Sequence, residues 1–249
     1  MQGPSTFYVK WGTILVSLSA LTYGLHYLMF RDAHHLGIFL MSDIAFVFLE
    51  VLLVSLIIHR LIEAEDAQNR LEKLNMVIGA FFSEIGNILL RICVENDPDI
   101  ENYRGILSFE ADISAAELSR KFNSLHDFKA KLKIDRESLH DLRRLLMDSK
   151  DFQLRLVENP VILEHEKFSD LLRSVLHLTE ELVARVDLRE IPDKDLEHIT
   201  NDIERAYGFL AREWFAYVQH MQKEYPYLFS FMVRTNPFKL NPSAVFNDD

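Results

Sequence analysis

The stretch from Ile38 to Ile92 sets the terms for the rest of the chain. It opens with IFLMSDIAFVFLEVLLVSLII, whose only charged side chains are Asp43 and Glu50, and runs on through RLIEAEDAQNRLEKL with no proline and no cluster of turn residues. An apolar run of about 20 residues matches the thickness of a bilayer core when helical. The polar-sided continuation keeps a helical spacing of its apolar residues. One long helix is therefore expected to begin as a membrane span and end as part of a folded domain.

A second apolar run precedes it. Trp11 to Phe30 carries no charged side chain, and the short segment RDAHHLG separates it from Ile38. The run is longer than the apolar region of a cleaved signal peptide, and no small-x-small site follows before Arg31. The reading is an N-terminal transmembrane hairpin over 1–60, with spans at about 11–30 and 38–58. Lys10, Arg60, Arg70 and Lys73 flank its outer ends against Arg31 alone in the turn. The positive-inside bias then places both termini in the cytoplasm, and the chain in the cell (inner) membrane as a multi-pass protein.

Asp43 and Glu50 stand seven residues apart, on one face of the second span. A charge at mid-bilayer costs about 2.5–3.5 kcal/mol on insertion scales, so such groups are expected to face protein or water. A turn near His34 and His35 sets Asp43 opposite His26, and Glu50 opposite Ser19 with Thr22 nearby. Two roles are open to these residues. They hold helices or neighbouring hairpins in register, or they line an ion or proton path formed by several copies. Asp32, His34 and His35 in the turn form a weak candidate metal set, since one hairpin supplies few ligands.

Charge is distributed unevenly. The first 60 residues net to zero, so the formal charge of −11 lies entirely beyond them. An acidic body without a Lys/Arg-rich run argues against nucleic acid as a partner. The single cysteine, Cys93, excludes an intrachain disulfide and a cysteine-based zinc site, and suits a reducing compartment.

Residues 61–238 read as an antiparallel helical bundle, so the fold class is all-α. Ala64, Ala67, Leu71, Leu74, Ile78, Phe81, Ile85, Ile88 and Ile92 form the first stripe. Glu84, Asn87 and Arg91 lie between, which marks this segment as a bundle helix and not a third span. Ser114-Ala-Ala-Glu117 is a capping box opening a helix with Leu118, Phe122, Leu125 and Leu132. Asp135 caps the next, with Leu139, Leu142, Leu146 and Leu156, ending at Asn159-Pro160. A third runs from about Glu164 to Val186 with Phe168, Leu171, Val175, Leu178 and Leu182. Pro192 suits the first turn of the last, which carries Leu196 to Met221 and breaks at Tyr225-Pro226. The aromatic segment 225–238 either lies at the membrane interface or forms a short core helix. With Trp11, its Tyr225, Tyr227, Phe229 and Phe231 are the interface candidates. Residues 239–249 read as a tail.

No catalytic motif emerges. Glu137-Ser-Leu-His140 has the Glu-x-x-His spacing of di-iron bundles, but such a site needs two copies and further carboxylates. A solvated helix face accounts for this pair, and no cofactor is implied.

The run His34-His-Leu-Gly-Ile-Phe-Leu-Met-Ser-Asp-Ile-Ala-Phe-Val-Phe-Leu-Glu-Val-Leu-Leu-Val-Ser-Leu-Ile-Ile-His-Arg-Leu-Ile-Glu63, followed by Leu74-Asn-Met-Val-Ile-Gly-Ala-Phe-Phe-Ser-Glu-Ile-Gly86, resembles an uncharacterised family of prokaryotic two-span membrane proteins with a cytoplasmic helical domain. The resemblance covers about a fifth of the chain and implies no activity. The leading functional expectation is a non-enzymatic, self-assembling scaffold or signal relay, with the lipid bilayer, further copies of itself and a cytoplasmic protein as partners. The alternative is an oligomeric channel lined by Glu50 and Asp43, and the third reading is a di-iron enzyme.

Overall fold

In the computed structural model, which describes residues 4–125 and 128–245, every regular element is helical. The chain divides into two units, Met1–Ala67 and Gln68–Asp249.

The first unit holds α1 (Pro4–Phe30) and most of α2 (Ala33–Phe81). Both are long and apolar enough to cross a membrane, and none of their most apolar stretch is buried within the protein. The turn between them is only Arg31 and Asp32. Arg31 takes the left-handed backbone that ends many helices, with φ 51°. The Asp32 carboxylate accepts from the His34 and His35 backbone N–H groups, each at 3.0 Å, and so caps α2. The helix consequently begins at Ala33, ahead of the expected Ile38.

In the second unit α2 runs on to Phe81, followed by a single π-helical turn (Phe82–Gly86) and α3 (Asn87–Glu95). The π turn has a visible cause. Phe81 and Phe82 are adjacent yet 0% and 1% exposed, and an ordinary helix would point them about 100° apart. The Asn87 N–H reaches back five residues to the Phe82 carbonyl, which inserts one residue into the helix and turns both rings inward. The insertion also rotates α3. Ile88, expected on the inner stripe, is 48% exposed and Ile92 only half-buried, while Leu89, Leu90, Cys93 and Val94 take the core positions. Gly86 permits the turn, because a Cβ there would lie 2.6 Å from the Phe82 ring and 2.8 Å from Phe81.

Next come α4 (Ile100–Leu107), α5 (Ala115–Ser124), α6 (Arg136–Asp148), α7 (Lys150–Val157), α8 (Pro160–Leu163), α9 (Glu166–Ala184), α10 (Asp193–Glu224) and α11 (Pro226–Arg234). The expected caps at Ser114 and Asp135 accept from Glu117 N–H and Ser138 N–H. Two boundaries differ from expectation. The helix opened by Ser114 stops at Ser124, leaving Leu132 in an irregular segment where its N–H donates to Glu204. The helix opened by Asp135 breaks at Ser149, whose hydroxyl donates to the Leu145 carbonyl beside a buried Gln153 amide bonded to Leu146. Pro192 is the residue before the first turn of α10, not within it.

The long α10 is the centre of the unit. It runs antiparallel to α9, since His177 meets Asp202 and Glu181 meets His198. It also runs antiparallel to α3, since Trp214 donates to Asn87 at 3.1 Å and Tyr207 to Asp97 at 3.2 Å. The Leu139, Leu142, Leu146 and Phe168, Leu171, Val175, Leu178, Leu182 stripes are buried as expected. An aromatic cluster of Trp214, Phe215, Phe109, Phe229 and Phe238 packs beside α10. Cys93 is fully enclosed beside Asp97, and burial pushes its thiol well above the ordinary range. Part of the expected tail is tied down: Lys239 pairs with Glu110 and the Ser243 N–H bonds the Arg234 carbonyl. Residues 246–249 of that segment lie outside the described residues.

If the π turn depends on an open Gly86, Gly86→Ala will destabilise the full chain by about 1–3 kcal/mol through overpacking. Gly105→Ala, where a Cβ meets nothing within 4 Å, will be neutral or slightly stabilising. Urea titration of the detergent-solubilised protein, followed by circular dichroism, distinguishes the two.

Candidate functional site

The polar residues of the hairpin are placed differently from the sequence expectation. Asp43 accepts a hydrogen bond from the Tyr23 hydroxyl at 2.9 Å, three residues short of its expected partner His26. The shorter turn is the reason: with α2 beginning at Ala33, the helices pair in a displaced register. His26 instead packs its ring edge-on to Phe30 at 4.9 Å, with the His35 ring 6.5 Å away. Thr22 returns its hydroxyl to the Leu18 carbonyl of its own helix. Ser19 and Glu50 are exposed on the unit, and among the described residues Glu50 makes no hydrogen bond or ion pair.

Asp32, His34 and His35 are not gathered into a metal-ligating group among the described residues. One oxygen of Asp32 is engaged as the helix cap, and His35 packs on Phe39 at 4.7 Å. Glu137 and His140 both lie exposed on α6. Among the described residues no three histidine, cysteine or acidic side chains gather as a metal site, so the donor set of a di-iron centre is not assembled there. Of the aromatic candidates, Trp11, Tyr227 and Phe231 are exposed and Tyr225 half-buried, but Phe229 is buried and stacks on Phe109 at 6.3 Å. The α11 period accounts for the correction, because Phe229 and Val233 share the inward face while Tyr227 and Phe231 point away.

The helical unit contains a cleft of about 430 Å³ between α2, α5, the start of α9 and α10. Leu71, Leu74 and Ile78 form one wall, Phe122 and Leu125 a second, and Phe209, Ala216 and Tyr217 a third. Tyr217 stacks on Phe82 with ring centres 5.9 Å apart, and its hydroxyl fits over Gly79, where a Cβ would come within 2.5 Å. His165 caps α9, its Nδ1 accepting from the Phe168 N–H at 3.2 Å. Burial, with help from Lys167, pushes that imidazole below its usual range.

Glu213 is the unusual member. It is 6% exposed, it lines the cleft, and among the described residues its carboxyl has no hydrogen-bond or ion-pair partner. Burial pushes its pKa up to about 7 against the opposing pull of Lys167. An acid held this way sits poised between neutral and charged forms near neutral pH. Sequence reasoning passed over it because it falls in a charged pair, Arg212-Glu213, of a helix read by its apolar stripe. The available signal was that Glu213 lies three residues from Leu210 and beside Trp214, inside that stripe.

A second cluster joins α9 to α10. Arg185 bonds Asp195 at 2.7 Å and Glu181 at 2.7 Å, and its guanidinium holds both carboxyls below the usual range. Asp202 accepts Arg205 at 3.0 Å through one oxygen, while its other oxygen stands 3.6 Å from the imidazoles of His177 and His198. These contacts clamp the helix pair.

A family profile described as "Uncharacterized protein MJ1433, C-terminal helical domain" matches residues 70–234, and one described as "MJ1433, N-terminal helical domain" matches residues 3–62. The uncharacterized protein MJ1433 of Methanocaldococcus jannaschii is 40% identical over 235 residues, covering 94% of each chain. No solved structure matches the chain.

The buried acid and the Arg185 cluster give stability opposite dependences on pH. Because the folded Glu213 carboxyl ionises near pH 7 and an unfolded one near 4.5, stability falls as pH rises through that interval. Glu213→Gln will therefore be more stable than the parent by about 3 kcal/mol at about pH 8, and equal to it at about pH 4. Glu181 and Asp195 have the opposite sign: they stabilise the fold above the ordinary carboxylate range, and this is lost as pH falls through their lowered values. Arg185→Gln will reduce stability at neutral pH and lose less on acidification than the parent. Thermal melts across pH test both.

Proposed function

The chain belongs to the MJ1433 family of paired N- and C-terminal helical domains, and on that premise we propose that it is a membrane-anchored, non-enzymatic protein that self-assembles as a scaffold or signal relay. The observation that carries this reading is α2. One helix supplies the more apolar candidate span and then Leu74, Ile78 and Phe81 of the second unit's core. The relay reading draws on that continuity of one helix from the span into the core stripe. Both termini lie in the cytoplasm, following the basic residues Lys10, Arg60, Arg70 and Lys73.

Self-assembly is supported by Glu50. A carboxyl within a span that has no partner among the described residues of its own hairpin is costly in lipid, and contact with a neighbouring hairpin removes that cost. The Tyr23–Asp43 hydrogen bond ties the two helices of one hairpin together, which favours a structural role for the intramembrane acids over a channel lined by Asp43 and Glu50.

In lipid nanodiscs the protein will have a mass that is a multiple of the 29.1 kDa chain by light scattering, and a strictly monomeric species overturns the self-assembly. Liposomes carrying it will show no ion flux. Flux that Glu50→Gln abolishes would establish the channel in place of the scaffold.

A further inference from the structure

We propose that the cleft between α2, α5, α9 and α10 binds a small molecule that joins an apolar body to a protonated amine, with the ammonium set against the Glu213 carboxylate. The cleft has the size and composition of small-molecule sites: about 430 Å³, apolar walls and a few convergent polar groups. Leu74, Ile78, Phe122, Leu125 and Phe209 offer surface to the apolar body.

Glu213 selects the charge. The residue is 6% exposed and, among the described residues, its carboxyl has no partner within the protein, while its oxygens are not sealed off and remain open to a ligand in the cleft. Lys167 influences Glu213 from a distance without pairing with it, and both Lys167 and Arg212 are exposed at the rim. An ammonium brings three donors and the opposite charge to a desolvated carboxylate, which is the strong class of hydrogen bond. A hydroxyl brings one donor and no charge. A carboxylate ligand would meet Glu213 and Asp170 as like charges. The charged and titratable groups facing the cleft are His165 at the cap of α9, Lys167 and Asp170 from α9, and Arg212, Glu213 and the half-buried Tyr217 from α10, whose phenol burial keeps neutral, while α2 and α5 contribute none. Within that set only Glu213 is buried.

This inference stands independently of whether the hairpin self-assembles. It is tested on the full chain in nanodiscs of a lipid without primary amines, by calorimetric titration at about pH 8, where Glu213 is ionised and an alkylamine is still protonated. The probes are 4-phenylbutylamine, 4-phenylbutanol and 4-phenylbutyrate, with empty nanodiscs as the blank. The amine will bind at least about tenfold more tightly than either relative, and Glu213→Gln will remove that preference while leaving the circular dichroism unchanged. Equal affinities for the three probes, preference for the acid, no binding of the amine, or an amine preference that survives in Glu213→Gln would each overturn the proposal. Should Glu213→Gln fail to fold, the charge series on the unaltered protein decides alone.

Discussion

Two neighbouring phenylalanines, both turned inward, set the geometry of the helical unit. Burying Phe81 and Phe82 together is incompatible with an ordinary helical turn, and the π turn is the local solution. Everything after it depends on that one inserted residue. It carries Leu89, Leu90 and Cys93 onto the core face, brings Asn87 within reach of Trp214, and leaves Tyr217 stacked over Phe82 at the edge of the cleft. The glycines on either side are part of the same arrangement, Gly79 admitting the Tyr217 hydroxyl and Gly86 the two rings.

Much of the architecture was legible in the sequence, for reasons that differ by element. The apolar runs of α1 and α2 are long enough to state their own length, and stripes such as Phe168 to Leu182 repeat too regularly to be anything but a buried helix face. Caps at Ser114 and Asp135 were legible because short polar side chains bonding their own backbone act locally. The π turn was not, since FF reads as a slightly wider apolar face until its tertiary neighbours are known. The hairpin register was missed by the length of the turn alone: an Asp32 cap moved the start of α2 and exchanged His26 for Tyr23 opposite Asp43.

The cleft shows a different limit. Its walls come from four helices far apart in sequence, so no spacing rule assembles them. Glu213 could have been singled out as an acid within an apolar stripe, but its lack of a partner among the described residues is a tertiary fact. The Arg185 cluster makes the contrast plain. There the acids Glu181 and Asp195 find a cation and stabilise a helix pair, whereas Glu213 is buried with only a distant Lys167.

The enclosure of Cys93 has a practical corollary. A thiol that is 1% exposed and resists ionisation reacts poorly with maleimides or methanethiosulfonates, electrophiles that only the thiolate attacks readily. The native chain is therefore already close to a cysteine-less background while it remains folded. A single cysteine introduced on the hairpin surface or the cleft rim would be the one reactive position, open to spin labels, fluorophores or crosslinkers without disturbing the core around residue 93.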